Sequence, residues 1–369
     1  MNNSHTKFYW KVGKKTFHNK HQAVVEMDRS GFGIEWHPPT EWLSYDWTSV
    51  PKKTFWQIMT DRVKEIRQKY KYIRFWFSGG CDSQTVLECF LSNGVHIDEI
   101  FMHSSGVKQS DYEITDTAVS FLIKHKSALR KTKINHYTTK KEDYYDWHTK
   151  KHWETEDGIY NPCSRLIGPI PSYKYGFKKQ VGEINILCST KSYLIYKNNN
   201  WYTYVPDYEF DGYFIPNTLY FFCQDPEIYH SQSFTLLNYI KNNFTKEHWN
   251  NFTVSSNQEH WNKGMQRSIN IHRNFLYKSK NINVPAVRFK APLKKTIAIN
   301  YKESVAWKLL DIEIIDMWQK NIADLHDLKK YFNDENPWLY YTGCPGYLFS
   351  LSQKEVIDNS ILFPKGFTQ

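Results

Sequence analysis

The sequence predicts an α/β fold built around a parallel sheet. Along the middle of the chain, short apolar runs of strand length alternate with segments whose apolar residues recur at helical spacing. The first of these runs, Tyr72–Phe77, ends in a small glycine-containing turn and leads at once into a helical pattern. Such alternation is typical of parallel strands that are covered by helices on both faces. We expect three regions, 1–53, 54–192 and 193–369, of which the middle one carries the sheet.

Region 1–53 is predicted to hold a small hairpin and an aromatic extension. Residues 7–17 have the pattern of two short strands about a glycine turn, and residues 21–27 have that of a short helix. The stretch that follows is rich in tryptophan and contains two consecutive prolines, so we expect irregular structure there. Its marker residues are Trp36, Pro38, Pro39, Trp42 and Trp47.

Region 54–192 is predicted to contain the helices and strands of the core. Residues 54–70 place apolar side chains on one face and charged ones on the other, which indicates an amphipathic helix. A second helix is expected from about residue 111 to residue 125. The predicted strands are 72–77, 96–103, 133–137 and 183–187.

Region 193–369 is expected to be mixed and largely helical. Residues 193–205 have the pattern of a hairpin that turns on an asparagine run, and residues 220–222 that of a strand. Asp225-Pro226-Glu227 is a typical helix start, and residues 304–320 form a further amphipathic pattern.

The turn after the first strand has the composition of a phosphate site. A helix start presents backbone N–H groups and the positive end of the helix dipole, so an anion is held there without a basic side chain. Gly79 and Gly80 let the backbone approach closely, while Ser78 and Ser83 add hydroxyl donors. Asp82 is the carboxylate in this turn that could hold Mg²⁺ against a phosphate oxygen. The alternative is that two glycines merely make a tight connection between strand and helix.

Ser78-Gly79-Gly80-Cys81-Asp82-Ser83 resembles the SGGxDS loop of the ATP pyrophosphatases, the N-type PP-loop or adenine nucleotide alpha hydrolase-like superfamily. In that superfamily the loop grips the β,γ-pyrophosphate of ATP while the α-phosphorus is attacked. The resemblance implies a HUP or Rossmann-like nucleotide-binding core, ATP and Mg²⁺ as ligands, and Asp82 as a catalytic and metal-binding residue. It extends over residues 72–106 and more loosely to residue 191. The other common phosphate loop, G-x-x-x-x-G-K-[ST], does not occur in the chain.

The ends of the later strands are the next places to look, because ligands of parallel sheets lie across the carboxyl ends of the strands. The resemblance implies that Met102, His103 and Ser104 meet the adenine, although a half-buried structural histidine is an equal alternative for His103. Lys191, at the end of the fourth strand, stands where several members carry a second phosphate-contacting cation. We expect a catalytic role for it, with a solvated surface lysine as the alternative.

Weaker candidates lie outside these strand ends. Arg165 follows a turn and could reach an anionic substrate, and His230 and Gln232 lie near a helix start where polar groups could recognise one. His148 and His152 are four residues apart and could share a metal ion, but a polar, aromatic helix is the default interpretation.

Composition limits the partners and the setting. The net charge of +10 and the pI near 9.0 permit a nucleic-acid partner, and aromatic residues interleaved with basic ones in the C-terminal third would suit one. A basic surface over an aromatic-rich core explains the same pattern. The six cysteines are scattered without a C-x-x-C pair, which favours a reducing, cytoplasmic setting over a zinc site or paired-cysteine sulfur transfer.

The absence of eighteen consecutive apolar residues argues against a membrane span, and the first residues lack an apolar signal core. Asn2 stands where the glutamine-dependent amidotransferases of the asparagine synthetase type have a nucleophilic cysteine, so we expect any amination to use free ammonia or an amine.

These features predict an ATP-dependent adenylating enzyme that forms AMP and pyrophosphate. A carbonyl or carboxylate oxygen would be activated for attack by a nitrogen nucleophile, in the modification of a nucleotide, DNA or tRNA. The chain resembles phage-encoded, asparagine-synthetase-like members, which implies the host cytoplasm as its location. Two alternatives stay open: an amide ligase that acts on small molecules, and an ATP-binding module without catalysis.

Overall fold

The computed structural model describes nine stretches of the chain. These are residues 8–18, 20–104, 113–150, 182–188, 192–197, 200–206, 217–222, 225–243 and 346–351. The amphipathic pattern at 304–320 and most of the predicted C-terminal region lie outside them. Within the described stretches, no helix combines the length and the apolar character that crossing a membrane requires.

The N-terminal region forms a three-stranded antiparallel sheet with a helix against it. Its elements are β1 (Tyr9–Val12), β2 (Lys15–Phe17), α1 (Lys20–Ser30), β3 (Ile34–His37) and α2 (Thr40–Ser44). The predicted hairpin β1–β2 is confirmed, and β3 pairs with the other edge of β1. The prediction of irregular structure at Trp36 and Trp42 was wrong. Trp36 alternates with Glu35 and His37 in a strand that pairs with β1, a partner from a separate part of the sequence.

A five-stranded parallel sheet forms the centre of the molecule, which confirms the predicted α/β class. Its strands follow the chain as β4 (Tyr72–Trp76), β5 (Glu99–Ser104), β6 (Lys133–Thr138), β7 (Glu183–Leu187) and, after an antiparallel pair, β10 (Thr218–Tyr220). The antiparallel pair is β8 (Tyr193–Lys197) with β9 (Asn200–Pro206), the predicted hairpin. The order across the sheet is β10-β7-β4-β5-β6, with parallel pairing throughout.

Of the described helices that accompany this sheet, one precedes the first of these strands, three lie between strands along the chain, and one follows the last. They are α3 (Phe55–Lys69), α4 (Cys81–Ser92), α5 (Val119–Lys124), α6 (Lys141–Thr149) and α7 (Pro226–Asn243). Thr54 and Gln57 start α3 with a capping box, in which each side chain accepts a hydrogen bond from the other residue's backbone N–H. The predicted helix at 111–125 is instead a π-helical turn, Glu113–Ala118, that continues into α5.

Three further features of the strands differ from the sequence prediction. Strand β5 begins at Glu99 because the side chain of Asp98 accepts from the Ile73 N–H at 2.8 Å and from Arg67 at 2.7 Å, so Asp98 closes the strand start. Phe221 and Phe222 lie in the buried turn after β10 rather than in the strand. A final strand, β11 (Gly346–Ser350), pairs with β9, which no local pattern indicated.

The two faces of the central sheet differ in character. Ile73, Phe75 and Phe77 alternate along and just beyond β4 and are almost completely buried. The opposite face carries a polar network centred on Glu99. Glu99 accepts hydrogen bonds from Tyr72, Arg74 and Asn135 at 2.5–2.9 Å. Arg74 also donates to the side-chain oxygen of Asn185 in β7. Burial alone would raise the pKa of Glu99, but the bonds from Tyr72, Asn135 and Arg74, together with the charge of Arg74, outweigh burial and lower it.

An aromatic core joins the N-terminal region to α7 and β11. Trp47 stacks on Phe349 with ring centroids 4.3 Å apart, and Trp42 meets Tyr229 edge-on at 5.5 Å. The Tyr45 hydroxyl and His230 Nδ1 form a hydrogen bond of 3.0 Å inside this core. The aromatic core is part of one continuous cluster of buried residues that reaches the central sheet. The region boundaries expected at residues 53 and 192 stay predictions.

Acid is expected to destabilise the protein through His230. Burial lowers the pKa of His230 to about 4, so the folded protein resists a proton that the unfolded chain accepts near pH 6.5. The contribution of His230 to stability is therefore complete above that pH and falls as the pH drops toward 4, by about 2 kcal/mol at pH 4.5.

Urea unfolding between pH 7 and pH 4.5 should show a smaller loss of unfolding free energy for His230→Phe than for the unmodified protein. His96→Phe, a change at a half-exposed histidine, should keep the full loss. Parallel curves for the His230 variant and the unmodified protein would contradict the prediction.

Candidate functional site

The loop Ser78–Ser83 lies at the carboxyl end of the central strand. Strand β4 has β5 on one side and β7 on the other, and the chain reaches β5 first and β7 only after β6. After β4 the chain next joins the sheet at β5 on one side, and after β7 it next joins the sheet at β10 on the other side, so the strand order reverses between β4 and β7. In open parallel sheets, ligands bind in the crevice at this reversal of strand order. The loop identified in the sequence thus stands at the switch point of the sheet.

The backbone of the loop leads directly into α4. Phe77 N–H donates to the Phe101 carbonyl at 2.9 Å, which keeps the chain paired with β5 until the loop begins. Gly79 then takes a left-handed conformation with φ of +74°, and Gly80 is the N-cap residue of α4. No described side chain caps the helix at Gly80. The amide groups of the first turn have no partners within the helix, so the loop ends in a site suited to an anion.

Two serines and a glutamine hold the loop. The hydroxyls of Ser78 and Ser83 are 3.2 Å apart, and the Ser83 hydroxyl donates to the Gly80 carbonyl at 3.0 Å. Gly80 N–H donates to Ser78 Oγ at 3.3 Å. The side chain of Gln84, which the sequence analysis missed, donates from Nε2 to the Gly79 carbonyl at 2.8 Å. Its position was the signal that could have revealed it, because Gln84 directly follows the motif and its long amide side chain can reach back to the backbone of the loop.

Gly79 is tightly enclosed by the π-helical turn Glu113–Ala118. A Cβ atom at Gly79 would lie 2.3 Å from the Glu113 carbonyl oxygen, 2.8 Å from the Ala118 nitrogen and 2.9 Å from the Ala118 Cβ. Two of these neighbours are backbone atoms, which cannot move aside cheaply. The position therefore requires glycine for its space as well as for its φ.

Asp82 is buried in the first turn of α4 and lies on the β7 side of the loop. Its side chain is almost inaccessible, with 5% of the residue exposed. Burial raises the pKa of the Cys188 thiol well above its usual range, and the negative charge of Asp82 raises it further. Cys188 directly follows β7, so the charge of Asp82 in α4 acts on the thiol at the carboxyl end of β7.

The end of β5 is closed by side-chain bonds to the next strand and the residue after it. His103 Nε2 and Thr139 Oγ1 are 2.6 Å apart, and the Ser104 hydroxyl lies 2.6 Å from His136 Nε2. Met102 is buried in the core. The side chains of His103 and Ser104 already have partners, so backbone groups are the remaining means of contact with an adenine here; the predicted adenine contacts themselves stay a prediction.

The remaining candidates separate into two groups. Arg165, Lys191, His152 and the side chain of His148 lie outside the described residues. His230 and Gln232 lie in α7 and are almost completely buried. His230 belongs to the aromatic core, and Gln232 Oε1 accepts from the backbone N–H of Ser192 at 3.0 Å. Gln232 thus holds the chain a few residues beyond the end of β7. The proposed roles of His230 and Gln232 in substrate recognition stay predictions.

The donor set of the loop fits a magnesium ion that a nucleotide brings with it. Among the described residues, no group of three His, Cys, Asp or Glu side chains could hold a metal ion without other ligands. Mg²⁺ commonly takes one or two protein carboxylates and completes its shell with substrate phosphates and water. Asp82 can supply such a carboxylate beside the anion site.

No protein-family model matches the chain, and a search of curated proteins found no significant match.

Replacement of Gly79 by alanine should destabilise the protein more than the same change at Gly94. Both glycines have φ near +70°, but no described atom lies within 4 Å of a Cβ at Gly94. Gly94→Ala measures the backbone penalty alone, about 1 kcal/mol. Gly79→Ala adds the clash with the π-helical turn, and we expect a further loss of about 2 kcal/mol in urea unfolding. Equal losses for the two variants would show that the turn yields without cost.

Removal of the Asp82 charge should make Cys188 more reactive. The carboxylate raises the thiol pKa, so Asp82→Asn lowers that pKa and increases the thiolate fraction at a given pH. Peptide mapping after timed alkylation at pH 8.5 should show faster modification at Cys188. Cys89, which is buried in α4, provides the internal control, and Asp61→Asn on the exposed face of α3 provides the matched variant. Unchanged alkylation at Cys188 would place Asp82 too far from β7 to matter.

Proposed function

We propose that the protein is an ATP-dependent adenylating enzyme of the ATP pyrophosphatase type, with a HUP-like nucleotide-binding core. The observation that supports this most is the coincidence of motif and position. An SGGxDS sequence, Ser78–Ser83, occupies the carboxyl end of the central strand at the switch point of a parallel sheet. The strand order also agrees. When the five strands are numbered along the chain, their order across the sheet is 3-2-1-4-5. This matches the first five strands of the 3-2-1-4-5-6 order of doubly wound nucleotide-binding sheets.

In this proposal the loop binds the β- and γ-phosphates of ATP. The first turn of α4 supplies backbone N–H groups and the positive end of the helix dipole, and Ser78 and Ser83 supply hydroxyl donors. The left-handed Gly79 turns the chain sharply enough for the backbone to surround a phosphate. Mg²⁺, held in part by Asp82, would neutralise charge on the leaving pyrophosphate.

The proposed reaction takes place at the α-phosphate, which lies outside the loop in this arrangement. With the two terminal phosphates in the loop, an oxygen of the acceptor attacks the α-phosphorus, and the bond from that phosphorus to the bridging oxygen of pyrophosphate breaks. The acceptor becomes an adenylate, and a nitrogen nucleophile then displaces AMP. Two substitutions with good leaving groups replace one difficult displacement of oxide or hydroxide. Lys191 is the proposed second cation for the departing pyrophosphate.

The acceptor is proposed to be a carbonyl or carboxylate oxygen, on a nucleobase or on a small molecule. The net charge of +10 supports a nucleic-acid acceptor, because neutralised phosphates would contribute to binding. Retention on tRNA or single-stranded DNA that falls steeply with salt would favour this class, and salt-independent activity with free amino acids would favour an amide ligase.

The central test is Mg²⁺-dependent ATP binding and pyrophosphate release. We expect the unmodified protein to bind ATP more tightly with Mg²⁺ than without it, and Asp82→Asn to lose about tenfold or more of that affinity. Asp61→Asn removes a carboxylate that pairs with Lys53 on the surface, and it should behave as the unmodified protein. Isothermal titration gives the affinities. Pyrophosphate release is then followed with amino acids, free bases, tRNA and single-stranded DNA in turn.

Two outcomes would contradict the proposal in different ways. Unchanged ATP binding in Asp82→Asn, together with no pyrophosphate release with any acceptor, would overturn the catalytic assignment. ATP binding that depends on Asp82, again without pyrophosphate release, would favour the ATP-binding module instead.

A further inference from the structure

The peptide group between Gly79 and Gly80 is the part of the loop with the least intrinsic restriction, since neither residue has a side chain. In the structure its carbonyl oxygen accepts from Gln84 Nε2 at 2.8 Å. Its N–H donates in the other direction, to Ser78 Oγ at 3.3 Å. The two ends of this peptide are therefore fixed by different partners on different sides of the loop.

The chemistry of the two ends decides what the loop can bind. A rotation of the Gly79–Gly80 peptide by half a turn would direct the carbonyl oxygen toward the Ser78 and Ser83 hydroxyls. An oxygen with partial negative charge would then replace an N–H group beside the bound anion. A phosphate would be repelled by that arrangement and attracted by the observed one. The orientation of a single peptide group thus controls the charge that the loop presents.

Gln84 is placed to prevent that rotation. Its side chain is almost fully buried, with 3% of the residue exposed, so water competes little for the Nε2 group. Its backbone N–H donates to the Gly80 carbonyl at 2.9 Å, which ties the same residue to the next peptide as well. A carbonyl oxygen can only accept, so the bond to the Gly79 carbonyl requires a donor at position 84.

We propose that Gln84 is a positioning residue that locks the Gly79–Gly80 peptide in the orientation that accepts phosphate. This inference rests on the proposed function, because it concerns the same loop. It adds that the orientation of the loop backbone is held by a residue outside the six that match the family motif. Gln84 itself is not proposed to touch the nucleotide.

The test compares two variants that remove the donor in different ways. Gln84→Glu keeps the shape but presents only acceptors, and Gln84→Met keeps the approximate volume without any polar group. The matched control is Gln57→Glu. Gln57 accepts from the Thr54 N–H, so a glutamate there keeps its bond and should change nothing. Unfolding is measured for each variant, and Gln84→Met serves as the decisive variant if the buried carboxylate prevents folding.

The readout is the affinity for three ligands: Mg²⁺-ATP, pyrophosphate and adenosine. We expect Gln84→Met to lose about tenfold in affinity for Mg²⁺-ATP and for pyrophosphate, and Gln84→Glu to lose more. Affinity for adenosine, which has no phosphate, should stay unchanged. A merely structural role for Gln84 would lower all three affinities together.

The outcomes separate this inference from the proposed function. Unmodified protein that binds neither Mg²⁺-ATP nor pyrophosphate would overturn the proposed function and this inference with it. Unmodified protein that binds both, with equal affinities in a folded Gln84→Met variant, would overturn the role of Gln84 alone. A parallel loss of adenosine affinity in Gln84→Met would also overturn it.

Discussion

The double pairing of β4 is the constraint on which the rest of the central structure depends. Its backbone bonds to β5 along one edge and to β7 along the other, and each pairing joins residues far apart in the sequence. Because the chain continues from β4 to β5 on one side and from β7 to β10 on the other, the loop after β4 lies at the switch point. The same pairing brings the end of β7 to α4, so that Asp82 affects the thiol of Cys188.

The polar network around Arg74 and Glu99 shows how strictly that pairing is set. Arg74 stands opposite Glu99 on one neighbour and Asn185 on the other, and it bonds to both. A shift of one residue would turn Arg74 toward the apolar side and leave a buried charge without a partner. The network therefore penalises incorrect registers, although its net contribution to stability is modest because desolvation opposes its bonds.

The aromatic core performs a comparable role for the outer elements. Trp42, Tyr45 and Trp47, from the N-terminal region, pack against α7 and β11, and His230 is buried among them. Residue Gln232 of the same helix bonds to Ser192 beyond β7. One helix thus links the N-terminal region to the neighbourhood of the candidate site.

Much of this protein was determined by local sequence. The capping box of α3, the apolar alternation of β4 and the Gly79-Gly80 turn into α4 depend on residues a few positions apart, and local energetics is sufficient to specify them. Strand β3, strand β11 and the strand order were decided only in the tertiary structure, because their partners are distant in the chain. The same division applies to the loop. Its sequence predicted an anion site there. The π-helical turn against Gly79 and the effect of Asp82 on Cys188 came from packing, since no local pattern encodes which distant backbone will lie against a glycine.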